Sequence, residues 1–126
     1  MKALAIAALL CLIAITGCQS VPTVYAAAAV PGAVGYSETA IEADRWRVTF
    51  QGGVGATASL LRAYALRRAA DLTLARGYDW FQITDSFTEG SSACLTLEIV
   101  MGRGALPSEP DTFDSRQVRR AFGRAA

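Results

Sequence analysis

Residues 45–51 alternate strictly between apolar and polar side chains, RWRVTFQ. This period of two predicts a half-buried β-strand with its aromatic and valine side chains on the inner side. Asp79–Asp85 and Ala93–Met101 show the same alternation. They predict a second and a third strand, which we expect to pair antiparallel because only a polar turn region separates them.

Between the first two predicted strands, apolar residues recur at helical spacing. The stripe runs through Ala58, Leu61, Ala65, Ala69 and Leu72. Because small side chains dominate this stripe, the helix is expected to approach the sheet closely. Thr57 fits the N-cap, and Gly77 fits the left-handed position that follows a helix. The order strand, helix, strand favours a right-handed crossover between parallel strands.

A capping signal near the end of the chain predicts a second, shorter helix. Asp114 is the expected N-cap with Gln117 as its reciprocal partner, and Phe113 with Val118 forms a hydrophobic staple. The predicted fold class is therefore α+β. It is a small three-stranded sheet in the order strand, long helix, strand, strand, with a short C-terminal helix.

The pattern of residues 1–15 predicts a secretion signal. Met1-Lys2 gives a positive start, and the thirteen residues Ala3–Ile15 contain no charge. A membrane-spanning helix needs about 20 apolar residues, whereas a signal-peptide core needs about 7–15. An ordinary signal peptidase site in Ala26–Ala29 is one way to end such a signal, and it would release a free periplasmic protein.

Ile15-Thr16-Gly17-Cys18 resembles the lipobox of bacterial lipoproteins. The resemblance implies cleavage after Gly17, attachment of lipid to Cys18, and a membrane as the first partner. Gln19 stands where an Asp would resemble an inner-membrane retention signal, which favours the outer membrane, facing the periplasm. The expected organisation is a signal peptide (1–17), a lipidated cysteine with a flexible linker (18–37), and one domain (38–126).

The amino-acid composition limits the catalytic and binding functions that the chain can have. The chain has no histidine, which excludes triads and pairs that depend on an imidazole base. Removal of Lys2 with the signal leaves equal numbers of basic and acidic side chains, so nothing favours nucleic-acid binding. We expect no cofactor and no metal. After loss of Cys11 and lipidation of Cys18, Cys94 is the one thiol left, either buried and inert or available to a partner.

Two regions are candidate binding sites. Gly53, Gly55 and Thr57 lie in a G-x-G-x-x-A pattern between a strand and a helix, where exposed amides suit an anion. A simple turn explains the pattern equally, and the next acidic strand end lies too far along the chain for a dinucleotide site. The second region is a further apolar surface of the long helix, an expected interaction surface formed by Leu60, Tyr64 and Leu74.

The charged side chains are weaker candidates for catalytic or binding groups. Asp79 and Asp85 flank one predicted strand about 20 Å apart, too far for a pair of glycosidase carboxyls. Arg67 and Asp71 are spaced for an ion pair on the long helix. A basic C-terminal cluster either meets anionic headgroups or is simply solvated; its members are Arg116, Arg119, Arg120 and Arg124.

Several motifs together resemble an uncharacterised family of small bacterial envelope lipoproteins. They are RWRVTF (45–50), RRAADLTLARGYDWF (67–81) and EIVMGRG (98–104). The resemblance implies an address and an architecture but no activity. We expect a membrane-anchored, non-enzymatic structural or interaction protein with an envelope protein as partner. The alternative is a small-ligand or cell-wall-binding module that uses the Gly53–Thr57 loop.

Overall fold

The computed structural model describes residues 22–89 and 93–125, with side chains through Phe122. The signal peptide and Cys18 lie outside these residues. Within them, five strands form one sheet in the order β1-β2-β4-β3-β5, accompanied by two helices. The elements are β1 (Gly35–Ala40), β2 (Arg45–Gln51), α1 (Ala58–Ala75), β3 (Trp80–Glu89), β4 (Cys94–Gly102), β5 (Thr112–Asp114) and α2 (Ser115–Ala125).

The prediction of a three-stranded sheet is wrong. The three predicted strands exist as β2, β3 and β4, but β1 and β5 extend the sheet at its two edges. Every neighbouring pair is antiparallel. The crossover through α1 does join two parallel strands, β2 and β3, yet β4 is inserted between them and hydrogen-bonds to both.

Alternation along the strands determines which side of the sheet is buried. Val48 and Phe50 of β2 face Leu97 and Leu95 of β4, and all four belong to the core beneath α1. Ala65 and Ala69 of α1 are fully buried in the same cluster. The predicted small-residue stripe is confirmed in its central part, because a helix of alanines at this face lies close to the sheet. Ala58, the first residue of the stripe, is exposed.

The helix caps follow the sequence prediction. The Thr57 hydroxyl accepts the Leu60 amide at the start of α1. Gly77 has a positive φ of 84° just past the end of α1, a conformation that glycine adopts without strain. The Asp114 carboxylate accepts the amides of Arg116 and Gln117 and so caps α2.

The described chain before β1 packs on the domain. We call residues 22–34 the N-terminal segment. Parallel bridges join Pro22 to Val54 and Ala27 to Tyr36. The structure thus differs from the expected linker, which ran to residue 37: its last three residues belong to β1, and the preceding ones contact the fold. No helix in the described part of the chain is long and apolar enough to cross a bilayer.

Candidate functional site

The loop between β2 and α1 contains the candidate anion site, and two of its predicted groups already have partners. The Gly53 amide donates to the Thr23 hydroxyl at 2.8 Å. The Thr57 hydroxyl caps α1 at the Leu60 amide, at 3.1 Å. Gly55 provides the turn with a φ of 81° and leaves open space around its Cα. The Gly53 amide and the Thr57 hydroxyl therefore serve the fold, which counts against their use in holding an anion.

The N-terminal segment is hydrogen-bonded to this loop. The Thr23 amide and hydroxyl both donate to the Val54 carbonyl, each at 3.0 Å. Further along, the Tyr36 amide donates to the Ala26 carbonyl, and the Ala28 amide donates to the Tyr36 carbonyl. The segment is held at both of these points, so it adds to the edge of the sheet. The sequence analysis missed Thr23, because residues 22–34 are rich in alanine and carry no periodic signal.

The predicted interaction surface on α1 is partly covered. Leu60, Tyr64 and Leu74 are half-buried. The ring of Tyr64 lies 5.1 Å from that of Phe50 and 5.6 Å from that of Tyr25, measured between centroids. The N-terminal segment thus covers part of this surface, since Tyr25 packs on Tyr64. The exposed large apolar side chains of the described chain are elsewhere: Val24, Val30, Ile41, Val54, Phe87 and Leu106.

Asp71 joins three elements at one carboxylate. Its Oδ2 accepts the Tyr25 hydroxyl at 2.7 Å, and its Oδ1 accepts the Arg119 Nε at 3.1 Å. Arg67 lies over the Tyr25 ring at 4.0 Å instead of forming the expected ion pair with Asp71. Burial, and then the hydrogen bond to Asp71, raises the pKa of Tyr25 above its ordinary value. Asp71 therefore fastens both the N-terminal segment and α2 to α1.

Two arginines of the basic C-terminal cluster form ion pairs within the domain. Arg116 pairs with Asp79 at 2.9 Å, and Arg119 pairs with Asp71. Arg120 is exposed, and the side chain of Arg124 lies outside those described. Two of the four arginines thus stabilise the position of α2, and the cluster is less available to an anionic partner than its sequence indicates.

Asp79 and Asp85 hold separate positions. The Asp79 carboxylate accepts the Gly104 amide at 2.8 Å and the Arg116 guanidinium. These hydrogen bonds lower the pKa of Asp79, with the Gly104 amide as the larger cause. Asp85 lies at a register shift in β3, and its carboxylate accepts the Ser86 amide. Asp79 therefore links α2 to the residues that follow β4.

The sheet face turned away from α1 carries no helix of the described chain. The hydroxyls of Thr49 and Thr96 lie 3.1 Å apart on it, and Arg47 bonds Glu98 at 2.7 Å beside them. Cys94 belongs to this face and is 9% exposed. Burial raises the pKa of the Cys94 thiol, with the negative charge of Glu89 as a further cause. The thiol is thus held in its unreactive protonated form.

A shallow groove runs beside β1. It encloses about 380 Å³ and is bounded by small apolar and hydroxyl residues: Ala28, Ala29, Val30, Pro31, Ser37 and Thr39. Its lining offers no titratable side chain. In residues 22–89 and 93–125, no three Cys, Asp or Glu side chains are grouped to hold a metal ion.

Comparison of this chain with protein-family models, with curated proteins and with solved structures finds no match.

Proposed function

We propose that the protein is a lipid-anchored lipoprotein of the bacterial cell envelope whose domain has a structural or interaction role without catalysis. The signal sequence and the box ending at Cys18 support the anchor. Two or three acyl chains on one residue hold a small domain firmly on a bilayer, because each buried CH₂ contributes about 0.8 kcal/mol.

The observation that carries the proposal is the docking of the N-terminal segment. Because Pro22 already pairs with Val54, three residues, 19–21, separate the folded domain from Cys18. The four Cα-to-Cα steps from Cys18 to Pro22, at a maximum of about 3.5 Å each, span about 14 Å. A flexible linker to residue 37 would have held the domain about 20–25 Å away on average. The domain is therefore expected to work at the membrane surface.

The sheet supports an interaction role for the domain. Both helices belong to one layer, since α1 covers the core face and α2 packs against α1. The other face presents an ion pair, a hydroxyl pair and the exposed Phe87. A mixed polar and aromatic surface of this kind is typical of non-obligate protein interfaces. An envelope protein is the proposed partner.

Lipidation is tested by intact-mass analysis of the protein purified from membranes. We expect loss of residues 1–17 and a mass increase matching acyl chains on Cys18. The Cys18→Ser variant should retain its signal and leave the acylated pool. Cys94→Ser is the matched control, because its thiol is buried, and it should remain acylated. A mature wild-type chain with an unmodified Cys18 would contradict the proposal.

A further inference from the structure

We propose that the end of the domain formed by Val24, Val54 and the β2–α1 loop rests on the bilayer surface. This inference rests on the proposed lipid anchor and adds an orientation to it. The occupant of this surface is the interfacial region of the membrane to which Cys18 is attached.

The N-terminal segment contacts this end of the sheet close to Cys18. Pro22 is bridged to Val54, so the three residues that lead back to Cys18 start here. The four steps from Pro22 to Cys18 span at most about 14 Å, which is shorter than the sheet, since the six steps along β2 alone cover about 20 Å. The anchor therefore holds the loop end closer to the membrane than the opposite end.

The second argument is the chemistry of the surface. Val54 is 60% exposed and Val24 is 45% exposed, beside the point of attachment. The two stretches that meet there contain no charged side chain, since residues 19–37 and 48–61 are free of Asp, Glu, Lys and Arg. The nearest charges along the second stretch are Arg47 and Arg62, at its borders. The register places one acidic residue, Glu89, at the same end of the sheet, two strands away from Gln51. Exposed valines on two stretches without charge tolerate the membrane interface, whereas charged stretches stay hydrated.

The loop is fixed in place by the N-terminal segment. Its Gly53 amide and Val54 carbonyl are hydrogen-bonded to Thr23. Gly55 has no neighbouring atom within 4 Å of an added Cβ, so the turn is open to its surroundings. The exposed Val54 side chain is thus the apolar group that this loop offers to lipid.

The test compares two ends of the sheet in the full lipidated protein. The fluorophore NBD is attached at Val54→Cys or at Ile41→Cys, each in a Cys94→Ala background. Ile41 is the matched control, because it is apolar, 42% exposed and placed in the turn between β1 and β2 at the far end. The proteins are reconstituted into phosphatidylethanolamine and phosphatidylglycerol vesicles with and without nitroxide-labelled lipid.

We expect quenching of the Val54 label to be at least twofold stronger than quenching of the Ile41 label, and Val24→Cys to behave like Val54→Cys. Equal quenching at the two ends in a sample whose mass shows acyl chains overturns the orientation and leaves the anchor intact. Absence of acyl chains overturns the proposed function and the orientation with it. If the Val54 label in detergent micelles becomes more protected from water as protein concentration rises, a second copy of the chain covers this surface. That result also overturns the proposal.

Discussion

Replacement of Tyr25 by Ala is the sharpest perturbation of the N-terminal segment. Tyr25 lies in the stretch that the sequence presents as a linker, yet its ring packs 5.1 Å from that of Tyr36 and its hydroxyl bonds Asp71. Truncating a fully buried aromatic residue costs about 3–5 kcal/mol. Because Tyr25 is only half-buried, removal of its ring should cost about 2 kcal/mol of stability. Loss of the hydrogen bond should add about 1 kcal/mol.

The expected loss of about 3 kcal/mol is measured by urea unfolding of the mature protein in detergent micelles. With an m value of about 1–3 kcal/mol/M, the midpoint should fall by about 1–3 M. A domain of this size has about 5–15 kcal/mol of stability, so the variant remains folded. Tyr25→Phe keeps the ring and should lose about 1 kcal/mol, the part due to the hydroxyl.

Val30→Ala is the control in the same segment, because Val30 is 62% exposed and should change stability by less than about 0.5 kcal/mol. If Tyr25→Ala also stays within about 0.5 kcal/mol of the wild type, the segment does not pack on the domain. The argument that the domain lies within four residues of Cys18 would then fail.

Three further predictions follow from particular contacts. Because folding raises the pKa of Tyr25, the protonated hydroxyl adds to the stability of the fold. This stabilisation is complete below the unfolded pKa of about 10 and is lost as the pH rises from there through the folded pKa. The urea midpoint should therefore fall less above pH 10 for Tyr25→Phe than for the wild type. Gly102→Ala places a Cβ against the Trp80 ring, where there is no room for it, and should cost about 1–3 kcal/mol of stability with a change in tryptophan emission. Trp80→Leu should relieve this loss in the double variant. The buried Cys94 thiol should react with a disulfide reagent at least about 10-fold more slowly in the folded protein than in urea, and equal rates would place it on the surface.

The centre of the fold was predictable because its signals are local. Strict alternation in β2 and β4 and the small-residue spacing of α1 each follow from the period of one element. The caps Thr57 and Asp114 were predictable for the same reason, since a cap is specified within three residues.

The sheet edges were not predictable from such patterns. In β1, Glu38 occupies a position that faces the helix side, where it pairs with Arg68. A charged residue at an inward position breaks the alternation of apolar and polar side chains, so the sequence of β1 does not show the period of two that predicts a strand. β5 has three residues, fewer than an alternation requires.

The candidate site was predicted only in part. The sequence leaves the β2–α1 loop open between an anion site and a simple turn, and it gives no sign that Thr23 uses the Gly53 amide thirty residues away. Tyr25 and Asp71 are likewise distant in sequence, and their hydrogen bond depends on the whole fold. Contacts between an aperiodic segment and a helix leave no local pattern.

Hydrogen exchange of the N-terminal segment in the mature lipidated protein tests the account most directly. The amides of Thr23, Ala28 and Tyr36 bond to backbone carbonyls and should exchange far more slowly than an unstructured chain. The amides of Ala29, Val30 and Gly32 make no backbone hydrogen bond to another described residue and should exchange at nearly the unstructured rate. Equally fast exchange in both groups would contradict docking of the segment and return the domain to the end of a flexible linker.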